Sequence, residues 1–238
     1  MGILLFVWML SYVGPAAALA WAAVVMLCGV TLDLARTVSP DAVSTLFVLG
    51  GVYATIERRA VFAGLLLLLG SLFLRTDNVL FVLAVLLWLA FSHRLRPHQA
   101  AVLALLACAV VGMIDWFSGN YGWCVLFDSS FVHPFSTGEP AGAKVTAGEY
   151  LSVFARNAHD LAGTYLPLVS LLGLAAIAAN ASRRVSVVLA LVGSATLVRF
   201  LLYPTAQLRG YAPFTILCML AVFAALLQKD SLAESIAE

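Results

Sequence analysis

Four polar residues, Arg75-Thr76-Asp77-Asn78, interrupt an apolar stretch that reads "SLFLRTDNVLFVLAVLLWLAF" over residues 71–91. An arginine and an aspartate at such a break are costly near lipid unless they are paired or turned towards a cavity. Ionisable residues at that depth are functional candidates by default. The apolar pieces on either side, residues 60–74 and 78–92, each cover roughly 22 Å, short of the ~30 Å hydrocarbon core of a bilayer. The link is therefore expected below the outer surface, inside the protein, where irregular polar backbone is tolerated if it lines a cavity. The competing reading is a helix cap, with Asp77 opening the next helix and Arg75 snorkelling outward. One residue apart, the two side chains do not share a helical face, but they can meet across a turn or each pair elsewhere.

A second polar group lies in "YPTAQLRGYAPF", residues 203–214. Arg209 beside Tyr211 suits a phosphate or pyrophosphate head group, because a guanidinium fork holds two phosphate oxygens. An ordinary interfacial turn explains the same composition. Arg199 stands inside the preceding apolar run and needs a partner or a cavity. Asp128, His133 and Glu139 are metal-ligand types, but their spacing matches no compact motif, so no metal site and no cofactor are assigned, with a divalent metal left open. No Ser-His-Asp arrangement, Walker loop or CxxC is present.

The elements that must position these residues are apolar helices. The chain is 63% hydrophobic and 11% charged, with mean hydropathy +1.03, whereas a soluble domain is about half apolar and a quarter charged. The net charge of +1 and the absence of a basic run give no reason to expect nucleic acid. Continuous Leu- and Ala-rich runs argue against strands. The expected fold is all-α, a single polytopic transmembrane domain over residues 1–238 with about eight spans: 3–30, 41–57, 60–74, 78–92, 98–114, 161–180, 185–203 and 211–228. The first run reads as one tilted helix kinked near Gly14-Pro15.

Charge sets the orientation. Arg58, Arg59, Arg94, Arg96, Arg183, Arg184 and Lys229 fall on one side, which the positive-inside rule makes cytoplasmic. Arg36, Arg75, Lys144, Arg156 and Arg209 fall on the other, in longer loops. Both termini are then cytoplasmic, and the expected setting is a bacterial inner (cytoplasmic) membrane. Residues 115–160 form an extracytoplasmic loop rich in aromatic residues, with an amphipathic surface helix expected over 147–162. Cys28, Cys108 and Cys218 sit in apolar runs and Cys124 in this loop, which predicts unpaired thiols.

Residues 39–91 resemble the middle of the type C (GT-C) membrane glycosyltransferases. Pro40-Asp41 opens a span, Arg58-Arg59 closes it, Ala63-Gly64 stands in an "AGLLL" span, and Arg75-x-Asp77 ends that span, with Thr76 in place of the commoner Pro. "DWFSGNYG", residues 115–122, is similar to the "YYG" stretch of those proteins, and Arg209, Tyr211 and Pro213 match their entry to a late span. The resemblance covers roughly residues 39–228. It implies transfer of a sugar from a polyprenyl-phosphate donor on the extracytoplasmic side, with Arg75, Asp77, Arg209 and Tyr211 binding the substrate. The family's acidic motif lies in a first outer loop that has no counterpart here. The chain is thus expected to lack the amino-terminal spans of such an enzyme, or to work with a partner membrane subunit that carries them. Asp33 and Asp41 are the substitute candidates for the base. A non-catalytic subunit that binds a lipid head group or a partner is the alternative. A small-solute or lipid transporter ranks third, because no internal repeat is visible and the polar residues cluster at span ends.

Overall fold

The computed structural model describes residues 1–36, 40–118, 147–162, 183–202 and 211–223. All regular structure among these residues is helical, with no strand. In chain order the helices are α1 (Gly2–Met9), α2 (Pro15–Leu27), α3 (Gly29–Arg36), α4 (Asp41–Val52), α5 (Val61–Leu72), α6 (Val79–Phe91), α7 (Pro97–Ser118), α8 (Ala147–Ala162), α9 (Arg183–Leu202) and α10 (Ala212–Phe223). A π-helical turn, Tyr53–Glu57, extends α4, and a 3-10 turn, Thr76–Asn78, leads into α6. Most of these match the apolar runs closely. The run expected at 161–180 lies mostly outside the described residues.

The beginning of the chain differs from expectation. Residues 3–30 were expected to cross once, and they fold instead as a hairpin of α1 and α2. A Cβ built on Gly2 would sit 3.5 Å from Met26, so the start of α1 meets the end of α2. Pro15 supplies the physical reason: it opens α2 at its first turn, where a missing N–H costs nothing, and Gly14 before it is extended. A new helix starts where a kinked one was expected. Met1 consequently packs beside Leu34, Ala42 and Ala212, at the end of the bundle that holds Asp41. Met1 and Arg75, expected at opposite ends, therefore lie at the same end of the bundle.

From there the chain runs up and down. α4 and α5 are antiparallel neighbours, α6 returns beside α7, and α9 packs on α6. Two ends result. One gathers Asp41, Arg75, the end of α9 and the start of α10. The other gathers the turns at 58–60 and 92–96, joined where Arg94 Nη1 donates to the Thr55 carbonyl at 3.4 Å.

One core cluster fills the bundle, including Leu5, Trp8, Trp21, Leu49, Leu68 and Leu217, all fully buried. Its outward faces are apolar too: Ile3, Leu27, Phe62, Phe73, Leu105 and Phe117 are 71–83% exposed. One helix among the described residues, over Pro97–Ile114, is both long and apolar enough to cross a membrane; the other apolar helices are shorter.

α4 and α5 approach each other closely. A Cβ on Gly64 would lie 2.8 Å from the Gly51 carbonyl oxygen and would collide with the Thr55 hydroxyl. That hydroxyl already donates to Gly51 O at 2.7 Å. Hence Gly64→Ala should destabilise the protein by about 1–3 kcal/mol through overpacking. Gly112→Ala, which meets nothing within 4 Å, should be neutral. Thermal unfolding in detergent compares them, and equal midpoints would refute the close-packing account.

Candidate functional site

Arg75, three residues beyond the end of α5, is extended (φ −153°, ψ 117°), and the 3-10 turn that follows swings Asp77 back beneath it. The pair therefore meets across the turn. Arg75 Nε lies 3.0 Å from Asp77 Oδ1 and Nη2 lies 2.9 Å from Oδ2, a two-pronged grip. The remaining face of the guanidinium is not idle: Nη1 donates to Asp41 Oδ1 from the start of α4. Asp77 lies within the 3-10 turn, the N-cap of α6 is Asn78, and the Asp77 carboxylate is held by arginines, so capping does not account for it.

Asp77 has a second cation. Arg199 Nε lies 2.6 Å from Asp77 Oδ2, a close ion pair rather than an aligned hydrogen bond. The Arg199 guanidinium also stands 5.6 Å from the centre of the Tyr211 ring, within cation–π range. The order is thus Asp41, Arg75, Asp77, Arg199, with signs alternating and two charges of each kind. Asp41 and Arg199 are the buried ends, at 7% and 4% side-chain exposure, while Arg75 and Asp77 retain 25% and 30%. Burial pushes the Asp77 carboxyl up, and the charges of Arg199 and Arg75 outweigh that and hold it below the usual carboxylate range. It is anionic at neutral pH.

Asn78 braces the assembly. Its Nδ2 donates to Ser44 Oγ at 2.7 Å and to the Ser71 carbonyl at 3.1 Å, tying the turn to α4 and α5. A small polar cleft of about 10 Å³, room for roughly one water molecule, is lined by the four charged residues and Asn78 together with Ser44, Thr45, Phe81 and Pro213.

The sequence-derived candidates divide as follows. Asp41, Arg75 and Asp77 come together. Tyr211 joins them indirectly, buried beside Arg199 and 6.2 Å from the Phe200 ring. Asp33 lies on α3, near the same end of the chain fold by its position between α2 and α4. Arg209 lies outside the described residues, as do Asp128, His133 and Glu139. The helix predicted over 147–162 forms as α8, and its Phe154 ring packs 5.0 Å from Phe200, beside Tyr211. Cys28, Cys108 and Cys218 are free thiols. Among the described residues no group of three or more His, Cys, Asp or Glu side chains could hold a metal ion.

Arg199 as the partner of Asp77, and Asn78 with Ser44, are the participants that sequence reasoning missed. The signal for Arg199 was its cost inside an apolar run; its partner lay more than a hundred residues away. Comparison with family models, curated proteins and solved structures gives no match.

Removing one partner of a buried pair costs more than the pair contributes, because the survivor is left uncompensated. Arg75→Ala should destabilise the protein by about 3–5 kcal/mol, and adding Asp41→Asn to it should recover part of that loss. A denaturation midpoint that is unchanged in Arg75→Ala, or one that falls further in the double variant, would show that Asp41 does not depend on Arg75.

Proposed function

We propose that this chain is a polytopic membrane protein that binds a polyprenyl-phosphate-linked sugar on the extracytoplasmic side, in the manner of the type C glycosyltransferases that it resembles. The observation that carries the reading is the Asp41–Arg75–Asp77–Arg199 cluster. Its first three members are the Pro40-Asp41 and Arg75-x-Asp77 pieces of the resemblance, and segments 34 residues apart in the chain meet there. Arg75 and Asp77 are its more exposed members. A lipid phosphate arriving at the cleft would compete with the Asp77 carboxylate for two guanidiniums that are already placed. Arginine suits this because its fork fits two oxygens and keeps its charge at any relevant pH.

The membrane setting is supported by apolar side chains on the outside of the bundle as well as in its core. Ile3, Phe62, Leu105 and Phe117 are exposed, while the charged groups gather at the two ends. α7, at 22 residues, is roughly 33 Å long, enough for the hydrocarbon core. The shorter helices need a locally thin bilayer or tilt of their neighbours. With the cluster end extracytoplasmic, the arginine turns at 58–60 and 92–96 are cytoplasmic, in keeping with the positive-inside rule. Met1 is then extracytoplasmic, since it packs at the cluster end.

Catalysis is the less favoured part. A general base needs an uncommitted carboxylate within reach of the proton it removes, and Asp41 and Asp77 are both spent on arginines. This favours a lipid-binding subunit over a self-sufficient transferase, with the base supplied by Asp33 or by a partner membrane subunit.

Two experiments test the reading. In a background in which the four native cysteines are replaced, Gly2→Cys and Thr76→Cys should react with an impermeant thiol reagent from the same side of the membrane, and Arg59→Cys from the other. Labelling of all three from one side would overturn the topology. For the ligand, the purified chain should bind polyprenyl phosphate saturably and the matching polyprenol at least tenfold more weakly, with Arg199→Lys weakening the phosphate alone. Equal binding of both lipids would remove the phosphate site. Efficient sugar transfer by the chain alone would restore the transferase reading.

A further inference from the structure

The opposite end of the bundle carries a second cationic feature. Two turns lie side by side there, 58–60 after the π-helical turn and 92–96 after α6, joined by the Arg94–Thr55 bond. Each turn is made by a residue in the left-handed region, Arg59 at φ 55° and His93 at φ 54°. Glycine adopts that conformation without the steric cost that a side chain brings, and it is the usual residue just past a helix end. Here both positions carry basic side chains instead. Strain of this kind points from an observed outlier to a role.

The charged side chains of the two turns themselves are arginines. Arg58, Arg59, Arg94 and Arg96 are all exposed. Two of them are propped by aromatic faces. Arg58 Nε donates to Tyr53 Oη at 2.5 Å with its guanidinium 5.4 Å from that ring centre. The Arg94 guanidinium lies 4.7 Å from the centre of the Trp88 ring. The nearby carboxylate, Glu57, offsets one of these four charges and is turned towards α1 and the turn after it, accepting from Tyr12 Oη and from Trp8 Nε1, the latter at 3.4 Å. Arginines beside Tyr and Trp rings at a helix end match the composition of a membrane–water interface.

We propose that these two turns form a binding platform for the head groups of anionic phospholipids in the leaflet opposite the Asp41–Arg199 cluster. The proposal rests on the membrane setting but not on the lipid-phosphate reading of the other end. Arg59 is held where glycine would be easier because its charge is used there. The phosphodiester of an acidic glycerophospholipid supplies the anion, and the guanidiniums, with stems along the apolar end of the bundle, supply charge-assisted hydrogen bonds.

The test uses the full chain in detergent, titrated with phosphatidylglycerol, phosphatidylcholine or inorganic phosphate, with thermal unfolding as the readout. Phosphatidylglycerol should raise the midpoint saturably, and the other two should leave it nearly unchanged. Arg59→Gly removes the charge and the left-handed strain together. It should have a lipid-free midpoint equal to or above wild type and about fivefold weaker phosphatidylglycerol binding. Arg96→Gln should weaken binding to a similar degree, and Arg156→Gln, exposed on α8 at the other end, should not. The proposal is overturned by equal responses to phosphatidylglycerol and phosphatidylcholine, by an equal response to inorganic phosphate, or by unchanged phosphatidylglycerol binding in both Arg59→Gly and Arg96→Gln. The polyprenyl-phosphate experiment reads the opposite end, so either result can fail while the other stands.

Discussion

Arg199 sits near the end of an apolar helix at 4% exposure, and a lone guanidinium in that position would be untenable. Asp77 makes it tenable. Asp77 in turn needs Arg75 to balance it, and Arg75 reaches on to Asp41. Each charge in the series is acceptable only because of its neighbour. The series fixes the start of α4, the link before α6 and the end of α9 at one point. Tyr211 and Pro213, at the start of α10, close that point from the side. Buried ion pairs rarely add net stability over well-packed apolar residues. Their presence here is better understood as positioning charge than as holding the bundle together, a task that the Leu- and Trp-rich core performs.

The helix geometry explains how residues 34 positions apart arrive in register. α4 with its π-helical turn runs the depth of the bundle, and α5 returns against it through the Gly51–Gly64 contact. That contact brings the two backbones close enough for the Arg75 side chain to span from the end of α5 to the start of α4. The same antiparallel path separates two kinds of polar chemistry. At one end the charges are balanced, enclosed and braced by Asn78. At the other they are mostly positive and exposed, on turns whose backbone departs from what the side chains prefer.

Much of this was legible in the sequence. The all-helical class follows from continuous apolar runs, and the bounds of α4, α5, α6, α7 and α9 fall within a few residues of those runs because Arg58-Arg59, Arg75 and Arg94 stop them. The one-residue spacing of Arg75 and Asp77 allowed a meeting across a turn and allowed separate partners; the structure has both, since each also reaches a further charge. Asp41 was singled out, but as a base, and nothing local indicated that Arg75 would claim it. The Arg199–Asp77 pair was out of reach because it depends on which helices become neighbours. The α1–α2 hairpin was not legible because a Gly-Pro step reads equally as a kink in one helix, whereas Pro15 here opens a second short helix that returns beside the first.

The placement of a lipid phosphate at the cluster is tested most directly by a polyprenyl phosphate carrying a photoreactive group next to the phosphate. It would be cross-linked to the full chain in a lipid bilayer, and the labelled peptides mapped by mass spectrometry. Label is expected in the link at 75–78 and in the last turn of α9 around Arg199, reduced by unlabelled polyprenyl phosphate but not by polyprenol. Label spread along the outer apolar faces of α5 and α7, competed equally by both lipids, would contradict a phosphate site at the Asp41–Arg199 cluster.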